Sequence, residues 1–200
     1  MSKNTLKGKG LFSNISVLEP FTQDLNKEIH GRELARELNS NQKTVQNKLN
    51  DLEEKNILES EEKGRLKEFK LNKNNPATKN LLITTEIEKL QKILQKSFEA
   101  KEIIKEILQK TEKPIIVYGS FAKGTWDKNS DLDILIIGEK EKKVEEINKK
   151  YSRKIQYMYL KPKEFKQQLK EKTSYIKEIL KNHVICQGFE KITNWRLKYE

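Results

Sequence analysis

Two aspartates one residue apart, Asp131 and Asp133, sit in an otherwise apolar run, SDLDILII, at positions 130–137. On an extended strand alternate side chains share a face, so both carboxylates project to one side while Leu132 and Ile134 face the other. Like charges held side by side in a greasy segment are costly unless something positive lies between them. A divalent cation meets that need: Mg²⁺, or Mn²⁺ in its place, is held through one or two carboxylates and completes its shell with water and substrate phosphates. Ten residues upstream of this pair lies Gly119-Ser120. Glycine lets a backbone approach a ligand, and the amides of such a turn, with the Ser120 hydroxyl, suit phosphate oxygens. Lys123 adds a mobile positive charge for the same anion. The rival reading is a hairpin-like turn followed by an ordinary strand.

The elements that must present these groups lie in Ile115–Ile137: a strand, a Gly-Ser turn, a short helical or looped insert, and a second strand carrying both aspartates. The form GSFAKG…SDLD resembles the signature of the nucleotidyltransferase superfamily related to DNA polymerase beta, in its minimal stand-alone branch. The likeness is close over the motif and looser from Glu99 to Phe189. It implies a small mixed sheet with flanking helices and an NTP as ligand or substrate. It makes Asp131 and Asp133 the catalytic, metal-holding pair, and gives Gly119, Ser120, Lys123 and Ser130 to the nucleotide. Active members carry a third carboxylate on the next strand, as metal ligand and base. The matching strand here, Arg153–Leu160, has no Asp or Glu; Lys154 or Gln156 takes the place, depending on register. Asp127 in the motif loop and Glu164 beyond Pro162 are weak substitutes. Catalysis is therefore left open. One outcome is nucleotide binding without efficient turnover; the other is NMP transfer to a hydroxyl of a protein or small molecule.

Before this segment the periodicity is helical. Leu11 to about Asn26 reads as a helix anchored by Leu18 and Phe21. Gly31–Leu38 is a second, and a third starts near Gln42 behind Ser40 and Asn41, with Val45, Leu49 and Leu52 on one face. Asn56 fits a left-handed stop, and Ile57–Ser60 and Arg65–Leu71 fit a hairpin around EEKG. This order resembles a winged helix-turn-helix. The resemblance implies DNA as partner and a regulator-like role, with Gln42, Lys43, Thr44, Gln46, Asn47 and Lys48 at the groove and Lys63, Arg65 and Lys67 on the flanking backbone. The rival use of such a module is dimerisation or packing.

Asn72–Asn80 reads as a linker. Thr85–Thr111 follows as one helix or two joined near Ser97, with a stripe of Ile87, Leu90, Leu94, Phe98, Ile104, Ile107 and Leu108; its first half also fits an exposed coiled coil. A charged helix from Gly138 to about Tyr151, a strand at Lys154–Leu160, helices from Pro162 to about Leu169 and at Tyr175–Asn182, and a short strand at His183–Cys186 complete the order. The expected architecture is thus a two-domain α+β and α/β chain: residues 1–75 a winged helix, 76–98 a linker and connecting helix, 99–200 a nucleotidyltransferase-like domain.

Totals set the outer bounds. Two hundred residues with 36% charged, 34% hydrophobic and a formal net charge of +11 favour a polyanionic partner. One cysteine, Cys186, excludes an internal disulfide, and with His30 and His183 alone beside it no His/Cys zinc cluster assembles. No apolar run reaches membrane-spanning length, so a cytoplasmic protein is expected, with DNA, a nucleoside triphosphate and a partner protein or second copy as its partners.

Overall fold

The computed structural model describes residues 11–64, 66–127 and 130–200. Its first segment departs from the expected single helix. Leu11–Leu18 is a 3₁₀ helix, and the α-helix α1 (Glu19–Gln23) starts anew. The cause is Pro20, which lacks an N–H and crowds the carbonyl four residues back, so it is tolerated in a first turn but not mid-helix. A two-residue strand β1 (Ile29–His30) leads into α2 (Gly31–Glu37) and α3 (Gln42–Glu54). The Asn41 side chain accepts from the amides of Lys43 and Thr44, which fixes where α3 begins. Val45, Leu49 and Leu52 are buried, and Asn56 has φ 56, the left-handed stop.

β2 (Leu58–Lys63) and β3 (Leu66–Leu71) pair antiparallel, and β1 adds to the free side of β3. Glu61, Glu62 and Lys63 are strand rather than loop: Lys63 pairs with Leu66, and the chain reverses at Gly64, φ 68. A positive φ is what a tight hairpin reversal needs. Leu34, Leu49, Phe69 and Phe21 meet in one core.

The segment Asn72–Asn80 is only partly a linker. Asn75 caps α4 (Pro76–Leu94) by accepting from the Ala77 amide, and Pro76 opens the helix. The buried face of α4 is also not the expected one. Leu81, Leu82, Thr85, Glu86, Lys89 and Ile93 are buried, whereas Ile87 is 38% and Phe98 79% exposed. The helix touches α1 on one side and the C-terminal strand and helix on another, so a wide face is covered and a charged pair goes inside. That contact also removes the exposed coiled-coil reading for its first half.

Ser97 caps α5 (Phe98–Lys110), so the long helical region is two helices. Then come β4 (Ile115–Tyr118), α6 (Gly119–Lys123) and β5 (Leu132–Ile137). The charged helix expected up to Tyr151 is a single turn, α7 (Lys142–Glu145), and a 3₁₀ turn over Glu146–Lys149. β6 (Ile155–Leu160), α8 (Pro162–Glu171), α9 (Ser174–Lys181) and β7 (His183–Gln187) precede α10 (Phe189–Tyr199), a helix the periodicity did not reveal.

The second sheet has the order β6-β5-β4-β7; β5 and β6 run parallel and the other pairs antiparallel. On one face α5 packs Ile103, Ile104 and Ile107 against Val117, Ile134 and Ile136. On the other, Phe165, Leu169, Ile176 and Ile192 from α8–α10 pack against Ile116, Leu135 and Ile137.

The two halves are bolted together by a buried polar cluster. Arg196 donates to the Thr22 carbonyl at 2.6 Å and through Nε to Glu200 at 2.7 Å. Lys89 donates to Thr22 Oγ1 at 3.0 Å and to Glu86 at 2.9 Å, and the Leu25 amide donates to Glu200 at 3.0 Å. Burial pushes the Glu86 carboxyl up, but His183 and Lys89 beside it outweigh that and hold it below the usual range. No helix is long and apolar enough to cross a membrane among the described residues.

Candidate functional site

β5 alternates, so Asp133 faces the side of Leu135 and Ile137 while Leu132 and Ile134 face α5. The strand itself starts at Leu132. Asp131 is the residue before it rather than part of it, and the Leu132 amide is tied to the Lys154 carbonyl at 3.0 Å. The two carboxylates feel each other: burial first, and then Asp131, push the Asp133 carboxyl above its ordinary value, with Lys154 opposing.

Gly119 has φ 71, and a β-carbon there would stand 2.4 Å from Asp133 Oδ2. The glycine is needed for its backbone angle and for the approach of that carboxylate. It thereby sets the start of α6, with Ser120 next and Lys123 exposed at the far end, against the acidic pair. Ser130 is differently employed. Its hydroxyl accepts from the Asp127 amide at 3.1 Å and donates to Asp127 Oδ1 at 3.0 Å, closing the loop before Asp131.

Register resolves what occupies the third-carboxylate position. Asp133 pairs with Gln156 across the parallel β5/β6 ladder, and with Tyr118 across β4/β5. The Gln156 amide donates to Asp131 Oδ2 at 2.5 Å, and Lys154 Nζ lies 3.4 Å from the same oxygen. The Lys154 side chain is 71% exposed, so this cation is a tethered visitor rather than a fixed counter-ion. Near Asp133, the phenols of Tyr118 and Tyr175 lie within each other's influence, and burial raises both.

Among the described residues no three His, Cys, Asp or Glu side chains cluster as a metal cage. What is present fits a hydrated divalent ion: two mutually repelling carboxylates, and an amide whose rotation presents a neutral oxygen. A cavity of about 850 Å³ opens at the other end of the same strands, around Pro114, Ile137 and Trp195, and contains neither aspartate.

The residues expected at DNA are more dispersed. Gln42, Lys43, Thr44 and Asn47 are exposed along α3. Gln46 instead lies against Gly31, where a β-carbon would meet its Oε1 at 2.3 Å, and its amide donates to Asn50. Lys48 donates to Ser16 Oγ at 3.0 Å. On the hairpin, Lys63 pairs with Glu28 and Glu68, and Lys67 with Glu53. Arg65 lies outside the described residues.

Arg153, Trp126, Tyr118 and Tyr175 went unremarked in the sequence. Only Tyr118 carried a signal: it ends the strand that an antiparallel turn must set opposite the aspartates. No curated protein and no solved structure matches the chain. Residues 99–195, the part that builds this sheet and its acidic edge, match the family model of the nucleotidyltransferase domain.

Proposed function

We propose that the C-terminal half binds a nucleoside triphosphate with a divalent cation and transfers its nucleoside monophosphate to a hydroxyl. The single observation that carries this is the seating of Asp133 Oδ2 against Gly119, next to Asp131: a glycine turn and a strained acidic pair in one place. Asp131 and Asp133 would hold Mg²⁺ or Mn²⁺, Gly119 and Ser120 the phosphates, and Lys123 an outer oxygen. When bound, such an ion neutralises charge on the phosphates. Lys154, exposed and 3.4 Å from Asp131 Oδ2, would be within reach of the same phosphates. The acceptor oxygen attacks the α-phosphorus, the bond to the β-phosphate oxygen breaks, and pyrophosphate leaves with that electron pair. Gln156 has no basic group, so the hydroxyl proton leaves to solvent or to a base on the acceptor.

Incubation with each labelled NTP and Mg²⁺ or Mn²⁺ tests this by pyrophosphate release. Release lost in the Asp131→Ala/Asp133→Ala protein supports it; no release from any NTP, or the same release from both proteins, overturns it.

A second reading concerns residues 1–75 as a winged helix. The exposed row Gln42, Lys43, Thr44 and Asn47 on α3 supports DNA contact through that helix, making the chain a regulator-like protein with a nucleotide-responsive domain. Titration against upstream and random duplexes at several salt concentrations distinguishes a specific site from general attraction.

A further inference from the structure

The loop that delivers Asp131 is held from outside by Arg153, beside the Ser130–Asp127 contacts within it. Arg153 is 6% exposed and reaches the loop from the residue pair preceding β6. Its Nη1 donates to the Asp127 carbonyl at 3.0 Å and also to the Ser130 carbonyl. Its Nε donates to Glu99 at 3.0 Å in the first turn of α5. Its guanidinium stacks 3.9 Å above the Trp126 ring. Trp126 in turn meets Phe121 of α6 edge-on, centroids 5.3 Å apart. The Trp126 Nε1 is buried without a hydrogen-bond partner among the described residues, so ring contacts hold that side chain.

These contacts run from the helix that begins at Gly119-Ser120, through Phe121, Trp126 and Arg153, to Ser130 and thence Asp131. We infer that Arg153 is the positioning residue of the site, setting the spacing between the phosphate turn and the first metal-binding carboxylate; this rests on the nucleotidyl-transfer reading above. The need is specific to arginine. A planar fork serves two carbonyls and a carboxylate in one fixed plane and still offers a flat face to an indole, whereas an ammonium has three donors but neither the plane nor the flat face. Position matters because Asp131 precedes the strand and lacks the ladder that fixes Asp133. Among the described residues its carboxylate has the Gln156 amide and the exposed Lys154 as partners, neither of which sets the path of the loop.

The test uses the full chain carrying Trp195→Phe, so that Trp126 is the sole indole, with Arg153→Lys and Arg153→Met compared against it. Mn²⁺ with ATP, GTP, CTP or UTP is titrated, and Trp126 emission, melting temperature and pyrophosphate release are recorded. Both variants are expected to weaken Mn²⁺·NTP binding by roughly 10- to 100-fold, as outer partners of metal ligands do. The lysine is expected not to rescue it, and Trp126 emission to shift to the red. If the methionine variant fails to fold, the lysine variant and Glu99→Gln decide. Arg153→Lys binding like its parent, or weakening only in step with a lost melting temperature, overturns the assignment. A parent that binds no Mn²⁺·NTP overturns the transfer reading and this role together. It is told apart from failure of the clamp alone because the emission shift in the variants would persist.

Discussion

The β2–β3 hairpin and the edge of the second sheet at Asp131–Asp133 are both dense in charge, yet they treat it in opposite ways. On the hairpin two lysines are paired: Lys63 has two carboxylates and Lys67 has Glu53 at 2.6 Å. At the sheet edge, among the described residues, two carboxylates share a single exposed lysine, and one of them is destabilised as an anion. Surface pairs that satisfy each other contribute little and ask for nothing further. A like-charged pair left short of counter-charge is stored demand for a ligand. The +11 of the whole chain is a net figure that already counts such pairs, so it does not say where the uncompensated charge lies.

The contrast breaks most directly at the aspartates. Asp131→Ala/Asp133→Ala should lower NTP-dependent pyrophosphate release on the order of 10²-fold or more, because several kcal/mol of charge stabilisation goes with the ligands; equal release in both proteins would place the chemistry elsewhere. Next in size is the bolt between the two halves. Arg196→Met leaves Glu86 and Glu200 with fewer partners, and urea unfolding should show a loss of about 3–5 kcal/mol.

Gly119→Ala tests the seat of Asp133. A left-handed angle and a 2.4 Å clash together predict a loss of roughly 1–3 kcal/mol in urea, with weaker Mn²⁺·NTP binding. A variant as stable as wild type would mean that Asp133 swings away freely.

Asp133→Asn sharpens the electrostatic half of the comparison. A carboxyl raised in the folded state binds its proton more tightly there than in the unfolded chain. Its contribution is therefore fully present below the unfolded value and lost as pH rises through the folded one. Without metal, the asparagine protein should melt higher than wild type at neutral pH, and the gap should close as pH falls through the region just above ordinary carboxylate values. A gap independent of pH would remove Asp131 repulsion as the cause. The smallest effect belongs to the hairpin. Lys63→Ala should leave the salt dependence of DNA binding unchanged, while Lys43→Ala lowers the slope by about 1. The reverse result would move any DNA contact from α3 to the hairpin.

Short-range chemistry was readable in advance. Asn41 as a cap, Asn56 as a left-handed stop and the strand after the Gly-Ser turn each follow from a residue and its immediate neighbours, whereas the break at Ser97 is one of two alternatives the sequence allows. The long helices were harder. Glu86 and Lys89 lie outside the apolar stripe expected for this region, yet they are buried beside His183 and Arg196 from more than ninety residues away. No local pattern announces a polar cluster whose members come from four elements.

The chain alone set Asp133 on an apolar strand opposite a glycine turn, because strand alternation is a property of the backbone, whereas Asp131 precedes that strand. Only the folded molecule decided which residue replaces the third carboxylate. That depends on how β6 aligns with β5, and parallel register is set by packing at a distance. It also decided which lysines were free to meet an anion, since an ion pair forms across space and leaves no trace in spacing.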